Sequence, residues 1–272
     1  MMIVEMQKII ALAKEAARLY YEKSFSLRDK NNDLADPVTS NDILIQATLK
    51  KGLLSLLPGS GFLGEEEDKA IPTERYCWVV DPIDGTANYA RNIDENGISI
   101  ALLDGNEPVE SLLYFPRKKM LLYAVKGEGS YLSFDNEKPR KISVSSRSLQ
   151  DTILCFAMPM RNKNLSEPMN RLFLDLFFNV NDFRRFGACS LELAYLAMGS
   201  IDAYFELTIH SWGIASGSLI IQEAGGVLLT QDGEKPNYRN RKSMTIIATN
   251  SLKNFLSIQA IVKRHIQEFP VL

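Results

Sequence analysis

The sequence predicts a layered fold that mixes helix and sheet, of the α/β or α+β class. Three observations carry this. Apolar residues recur at helical spacing near the start of the chain, then give way to short β-branched and aromatic runs bounded by turn residues. The second half alternates the two periods, as stacked helices and strands require. With 272 residues, 46% of them hydrophobic, the chain buries on the order of three-quarters of its extended surface, enough for several layers without disulfides.

Met6, Ile9, Ile10, Ala13, Ala17 and Tyr20 lie three and four residues apart, with Lys8, Lys14, Glu15 and Arg18 between them. That pattern is an amphipathic helix. The stretch Asp29–Asp33 is too hydrophilic for core. Ser40 or Asn41 is placed to cap a second helix carrying Ile43, Leu44, Ala47, Leu53 and Leu54, which Pro58-Gly59 stops. Strands follow at Tyr76–Val80, Gly97–Leu103, Leu112–Phe115 and Met120–Val125, with Asp104-Gly105 and Pro116–Lys118 as turns. Gly127-Glu128-Gly129 resembles part of a dinucleotide loop, but strand-like Tyr131–Phe134 stands where a helix is needed, so a hairpin turn is expected. A boundary near 140–150 divides the chain into halves, 1–145 and 146–272. The second half reads as strand Thr152–Phe156, helix Leu165–Phe178, strand Phe183–Phe186, helix Ser190–Ala197 and strand Asp202–Leu207. Helix Ile214–Ala224, strands Val227–Thr230 and Met244–Ala248, and helix Leu252–Ile266 complete it.

Composition removes several function classes. Thirty-one Lys and Arg against 33 Asp and Glu give a net charge of −2, so no nucleic-acid footprint is expected. The longest apolar runs, such as Ile98–Leu103, fall far short of the roughly 18 residues of a membrane span. No basic region followed by an apolar one opens the chain, so no secretory leader is expected. Cys77, Cys155 and Cys189 are odd in number and far apart, which argues against a disulfide framework and fits a reducing cytoplasm. Two histidines, His210 and His265, are too few for a multi-histidine metal site.

The chemistry concentrates in Gly64-Glu65-Glu66-Glu67-Asp68 and Trp78-Val79-Val80-Asp81-Pro82-Ile83-Asp84-Gly85-Thr86. An apolar strand runs into Asp81, and Pro82 and Gly85 favour a turn that carries Asp84. Each piece alone has a plain reading, a solvated acidic loop and a turn. Together they aim a buried-type strand at two acids, which need a partner. Oxygen ligands without His or Cys point to Mg²⁺, Mn²⁺ or Ca²⁺, and Glu65 can close the same site.

These residues resemble the inositol monophosphatase family of metal-dependent, lithium-sensitive sugar-phosphate phosphatases. Asp36-Pro37-Val38-Thr39-Ser40-Asn41-Asp42 is similar to its early element. Gly64-Glu65-Glu66 with Asp81-Pro82-Ile83-Asp84-Gly85-Thr86-Ala87-Asn88-Tyr89 is similar to its metal signature. Gly199–Glu206, His210-Ser211-Trp212 and Gln222–Gly226 are similar to its C-terminal signature, so the resemblance spans about residues 5–265. It implies an α+β, layered α-β-α-β-α sandwich whose halves form one catalytic unit, and a cytoplasmic homodimer. It also implies that Glu65, Asp81 and the Ile83 carbonyl hold a first Mg²⁺ (or Mn²⁺), that Asp81 and Asp84 share a second, and that Asp42 lies near a third. Thr86, with Glu65 and Asp42, would orient and deprotonate the attacking water. Asp84 would also border the substrate. Gly85 and Thr86 open a helix facing the phosphate, a sound anion site on physical grounds. Gly187, Ala188 and Cys189 would line the substrate, and Glu206 would accept bonds from its hydroxyls. The expected reaction is hydrolysis of a small phosphate ester by in-line water attack. Inositol monophosphate is the first substrate, with fructose 1,6-bisphosphate and 3′-phosphoadenosine 5′-phosphate as alternatives.

One position departs from the family: Trp212 is followed by Gly213, where the family has aspartate in the second metal's ligand set. Ser211 and Ser216 cannot replace that charge, and Asp202 is too far along its strand. The departure leaves a phosphatase with a weakened second site, less sensitive to lithium, against a catalytically impaired phosphate-ester-binding protein. His210 is expected to pack beside Trp212, and Cys189 to be mainly a packing residue with some reactivity at its helix start. Arg117-Lys118-Lys119 is expected to be a solvated turn.

Overall fold

Strict alternation along the central strands decides the architecture. In the computed structural model, which describes residues 2–21, 27–29, 37–66, 70–135, 137–158 and 163–266, Trp78 and Val80 pack to one side of their strand and Cys77 and Val79 to the other. A strand buried on both faces needs a layer above and below it.

The elements are α1 (Met6–Ala16), β1 (Leu27–Asp29), β2 (Pro37–Thr39), α2 (Ser40–Leu56), β3 (Gly61–Gly64), β4 (Tyr76–Asp84) and α3 (Thr86–Ala90). Then come β5 (Gly97–Asp104), β6 (Glu107–Phe115), β7 (Met120–Val125), β8 (Gly129–Phe134), β9 (Arg140–Ile142), β10 (Ile153–Ala157) and α4 (Ser166–Phe177). The chain continues through β11 (Asp182–Arg184), α5 (Cys189–Ala197), β12 (Ala203–Ile209), α6 (Ser211–Glu223), β13 (Val227–Thr230), β14 (Met244–Thr249) and α7 (Leu252–His265). Strands β3 to β9 form a seven-stranded sheet in sequence order, parallel at β3–β4 and antiparallel elsewhere. The second sheet has the order β11-β10-β12-β14-β13.

Three cores alternate with the sheets. Helices α1 and α2 cover the outer face of the first sheet, through Ile9, Ile45 and Leu49 against Trp78, Ile100 and Leu112. Between the sheets lie α5 and α6, with Leu191, Leu193 and Ile220 among Val79, Leu113, Tyr204 and Ile246. Beyond the second sheet, α4 and α7 pack Leu172, Ile258 and Val262 on Phe156, Phe205 and Ile247. The result is the expected α-β-α-β-α sandwich. Each fully buried Leu or Ile contributes about 1.5–3 kcal/mol. No helix among the described residues is long and apolar enough to cross a membrane.

Four local expectations need correction. Helix α2 is capped by Thr39 rather than Ser40 or Asn41: Asp42 at its third position answers Thr39 in a capping box. Its buried face is Asn41, Asp42, Ile45, Gln46, Leu49 and Leu53, while Ile43 and Leu44 are exposed. The helix is turned so that polar groups face inward. Strand β4 does not end at Asp81. It runs on to Asp84, with a register shift between Asp81 and Asp84, because a bulge tolerates Pro82, which has no N–H to pair. Helix α6 starts at Ser211, before the apolar run from Ile214. Asp36, Glu67, Asp68 and most of the Asp29–Asp33 stretch lie outside the described residues.

Candidate active site

The bulge at the end of β4 places two acids where three other elements meet. Asp81 is buried, at 4% exposure, and its Oδ1 accepts the Ile83 N–H at 3.1 Å. Asp84 Oδ2 accepts the Ser190 N–H at 2.6 Å, so its carboxylate closes the first turn of α5, a place that favours negative charge. Gly85 then turns the chain into α3 with φ of +83°. A Cβ there would lie 2.8 Å from the Glu95 carbonyl oxygen and 2.9 Å from Ala188 Cβ, so only glycine fits.

Thr86 opens α3. Its Oγ1 lies 3.0 Å from the Ile83 carbonyl oxygen and 3.2 Å from Asp42 Oδ1, donating its one proton to either. Asp42 arrives from α2, where its Oδ2 accepts the Thr39 N–H at 2.9 Å. Asn41, beside it, donates to Tyr89 Oη at 2.7 Å and ties α2 to α3. Glu65 follows β3 and extends the parallel pairing, its N–H reaching the Val80 carbonyl at 3.3 Å. Gln46 Oε1 accepts the Glu66 N–H at 3.0 Å, an approach that leaves no room for a side chain on Gly64.

Electrostatics marks these acids as a group. Burial first, and Glu65 as a like charge, push Asp42 up to about 6 despite the hydrogen bonds from Thr39 and Thr86. Asp84 is likewise pushed up to about 6, by burial and then by Glu65. Among the described residues, however, no three acidic, histidine or cysteine side chains are gathered closely enough to hold a metal as they stand. The expected cage of Glu65, Asp81 and Asp84 is therefore not preassembled. Like charges repel, and Asp81 and Asp84 turn toward backbone N–H groups. The donor chemistry still fits a hard cation: the ligands are all oxygen, and Glu65 lies close enough to raise both Asp42 and Asp84.

The second half supplies the facing wall. Gly187 and Ala188 precede α5, and Cys189 is its first residue. Cys189 is buried, and burial with Glu206 and Asp84 pushes its thiol well up, so the helix start does not activate it. Glu206 on β12 accepts the Tyr204 hydroxyl and is pushed up to about 8, by burial first and then by Glu192 and Asp84. Gly213 sits in the first turn of α6. Ser99, cross-strand partner of Asp81, donates to the Trp212 carbonyl at 3.2 Å and shares a 2.5 Å hydrogen bond with Ser216 Oγ. This brings Gly213 beside the Asp81 strand. A Cβ on Gly213 would meet Ile209 Cδ1 at 2.9 Å.

Two other expectations are settled by geometry. His210 stacks on Trp212 at 4.5 Å, with Nδ1 3.0 Å from the Arg241 carbonyl, a packed position as expected. The basic run is solvated only at Lys119, which is exposed; Arg117 and Lys118 are not. The Arg117 guanidinium lies 5.2 Å from the Tyr89 ring centre, and Lys118 pairs with Glu95 at 2.8 Å, so together they brace the loop after α3. Sequence reasoning missed Gln46, Asn88, Ser99 and Glu192. None carries a signal of its own, except that Asn88 falls inside the Asp81–Tyr89 motif.

Comparison with known proteins agrees with this geometry. A profile of the inositol monophosphatase family matches residues 2–267. An inositol-1-monophosphatase of Caulobacter vibrioides is 35% identical over 251 residues, covering 89% of this chain and 94% of its own. The structure of extragenic suppressor protein SuhB from Bartonella henselae is similar with a TM-score of 0.83 at 28% identity, covering 95% of this chain and 98% of that one. An IMPase/NADP phosphatase complexed with Mg²⁺ and phosphate is similar with a TM-score of 0.78 at 26% identity, covering 94% and 92%.

Proposed function

This chain belongs to the inositol monophosphatase family, and from that premise we propose that it is a Mg²⁺-dependent phosphomonoesterase whose first substrate is an inositol monophosphate. The observation that carries the reading is the Thr86 hydroxyl held between Asp42 and the Ile83 carbonyl, next to the β4 end that bears Asp81 and Asp84, with Asp42 and Asp84 pushed up to about 6. Acids that burial and repulsion hold this high favour any cation that enters among them.

In this reading Glu65, Asp81, the Ile83 carbonyl and Asp84 hold Mg²⁺ or Mn²⁺. When bound, such an ion lowers the pKa of water, neutralises phosphate charge and stabilises the leaving oxygen. Thr86 orients the attacking water through its hydroxyl, which Asp42 and the Ile83 carbonyl fix in direction. Asp42 and Glu65 take up the proton. Asp42 at about 6 is well matched to that task near neutral pH. The backbone of Gly85 and Thr86 receives the phosphate, and Asp84 borders it. Gly187, Ala188 and Cys189 line the alcohol side, where Glu206 receives its hydroxyls. Because these residues come from both 1–145 and 146–272, the two halves work as one catalytic unit. Family likeness extends the proposal to a homodimer of the cytoplasm and to inhibition by lithium.

Gly213 favours a second reading, a phosphate-ester-binding protein with impaired catalysis. One assay separates the two. Phosphate release is followed with Mg²⁺ from inositol 1-phosphate, fructose 1,6-bisphosphate and 3′-phosphoadenosine 5′-phosphate, for the parent and for Thr86→Ala. The enzyme reading expects release that Thr86→Ala slows by about a hundredfold, ~2.7 kcal/mol on the barrier, with Mg²⁺ binding retained. Equal background release from both proteins decides for the binding protein.

A further inference from the structure

The segment Phe186–Ala188 is gripped from two sides by residues to which no role has been given above. Glu192 lies one turn into α5 and is buried, at 2% exposure. Its Oε1 accepts the Phe186 N–H at 2.6 Å and the Gly187 N–H at 3.2 Å. From α3, Asn88 Nδ2 donates to the Phe186 carbonyl at 2.8 Å and to the Glu95 carbonyl at 2.7 Å. Between these clamps Gly187 is held at φ of +80°, and a Cβ on it would already lie 3.3 Å from Asn88 Nδ2. The grip has a cost. Glu192 is a buried acid that Asp84 raises and that itself raises Glu206. A chain that needed only to close a helix start would do so with Ser, Thr, Asp or Asn at the cap, where this one has Ala188.

We propose that Glu192 and Asn88 are positioning residues that set the alcohol side of the substrate pocket, Glu192 by fixing the Phe186 and Gly187 amides and Asn88 by fixing the Phe186 carbonyl against α3. This rests on the phosphomonoesterase reading and adds to it a selectivity for polyhydroxylated leaving groups. The start of α3, where the phosphate is received, keeps its own backbone bonds, from the Asn88 and Tyr89 N–H groups to the Gly85 carbonyl at 2.9 Å, with or without the side-chain clamp. Loss of the clamp is therefore felt by an ester whose alcohol must fit against Gly187, and not by a flat aryl phosphate.

The test compares Glu192→Leu, which removes the acceptor at similar volume, with Glu192→Gln, which keeps one acceptor oxygen. Asn88→Ser serves as a second route to the same segment should Glu192→Leu not fold. For Glu192→Leu and Asn88→Ser, KM for inositol 1-phosphate is expected to rise about tenfold, 1.4 kcal/mol of binding. The kcat, and the KM for p-nitrophenyl phosphate, should stay within about twofold of the parent. Glu192→Gln should restore most of the KM. Hydrogen exchange at the Phe186 and Gly187 amides should quicken in Glu192→Leu and not in Glu192→Gln. Equal losses on both esters, or no change on either, overturn the proposal. So does unchanged exchange at the two amides, which is read without turnover. A parent that hydrolyses neither ester, with the exchange result as expected, overturns the phosphomonoesterase reading while leaving the clamp in place.

Discussion

Two aspartates at opposite ends of β-structure, Asp202 buried and Asp84 half-buried, show how differently one fold treats the same side chain. Asp202 is fully buried, yet it is complete. Arg147 Nη1 lies 3.1 Å from its Oδ1, the Ile153 N–H donates to its Oδ2 at 2.9 Å, and Ser145 donates as well. Asp84 also takes backbone N–H bonds, but its charged neighbours are acids, and it is pushed up to about 6. A buried charge that the chain pairs with its own cation is a structural tie. A half-buried charge kept among like charges is held ready for a cation or proton from outside. The fold thus separates an acid that joins the loop before β10 to β12 from acids that are available for chemistry.

The contrast can be broken most strongly at the structural end. Asp202→Ala should remove about 3 kcal/mol of stability, because three donors lose their acceptor, although half-exposed Arg147 can turn to water. Calorimetry should show a Tm lower by about 6–12 °C, with the Mg²⁺-induced shift unchanged. Loss of that shift would place Asp202 in the same group as Asp84.

Asp84→Asn reverses the pattern. The amide oxygen can still accept the Ser190 N–H, and one like charge is gone, so the metal-free protein should melt at or above the parent. Turnover should fall about a hundredfold, ~2.7 kcal/mol, and the Mg²⁺-induced shift should shrink. A metal-free Tm well below the parent's would make Asp84 a structural tie too.

Gly213→Asp sharpens the comparison by adding an acid where the family carries one. The clash is with the flexible end of Ile209, so the variant should fold, and an acid in the first turn of α6 is favourable there. The Mg²⁺ concentration for half-maximal activity should drop about tenfold, ~1.4 kcal/mol, and lithium inhibition should strengthen. An unchanged Mg²⁺ titration would show that this position does not serve the metal in this protein.

The last effect is one of pH. Glu206 is raised to about 8 and Glu192 to about 7 from 4.5, chiefly by burial. Between about pH 4.5 and pH 8 the folded protein therefore keeps protons that the unfolded chain has released, and stability declines as pH rises through that window. In EDTA the Tm should fall steadily from pH 5 to pH 8, and Glu206→Gln should flatten the slope. A metal-free Tm that rises over this range would contradict the direction of both shifts.

Much of this was legible in the sequence, because its signals are local. The alternation of Cys77, Trp78, Val79 and Val80 is visible residue by residue, and so is the run of Asp81, Asp84, Gly85 and Thr86. Turn residues and helical spacing located the long helices and most of the longer strands to within a few positions, while the short strands β1, β2, β3 and β9 went unread. The acids of the site were visible for the same reason: Asp81, Asp84 and Thr86 share six residues of chain, and Glu65 ends the neighbouring strand.

What the sequence by itself determined, then, is periodicity, and with it the layers and the acid-bearing strand end. Tertiary structure alone decided orientation and partnership. Apolar spacing assigned Ile43 and Leu44 of α2 to the core. Packing turned the helix the other way, because Asn41, Asp42 and Gln46 gain buried partners on α3 and the Glu65 turn, and unpaired buried polar groups cost more than exposed apolar ones. Arg117 left solvent for the Tyr89 ring from a turn that looked solvated. Glu192 carries no mark in its own helix of the Phe186 and Gly187 amides that the chain between β11 and α5 brings to it. Each of these depends on a contact between residues distant in the chain or across a turn, and side-chain spacing along one element carries no record of what faces it.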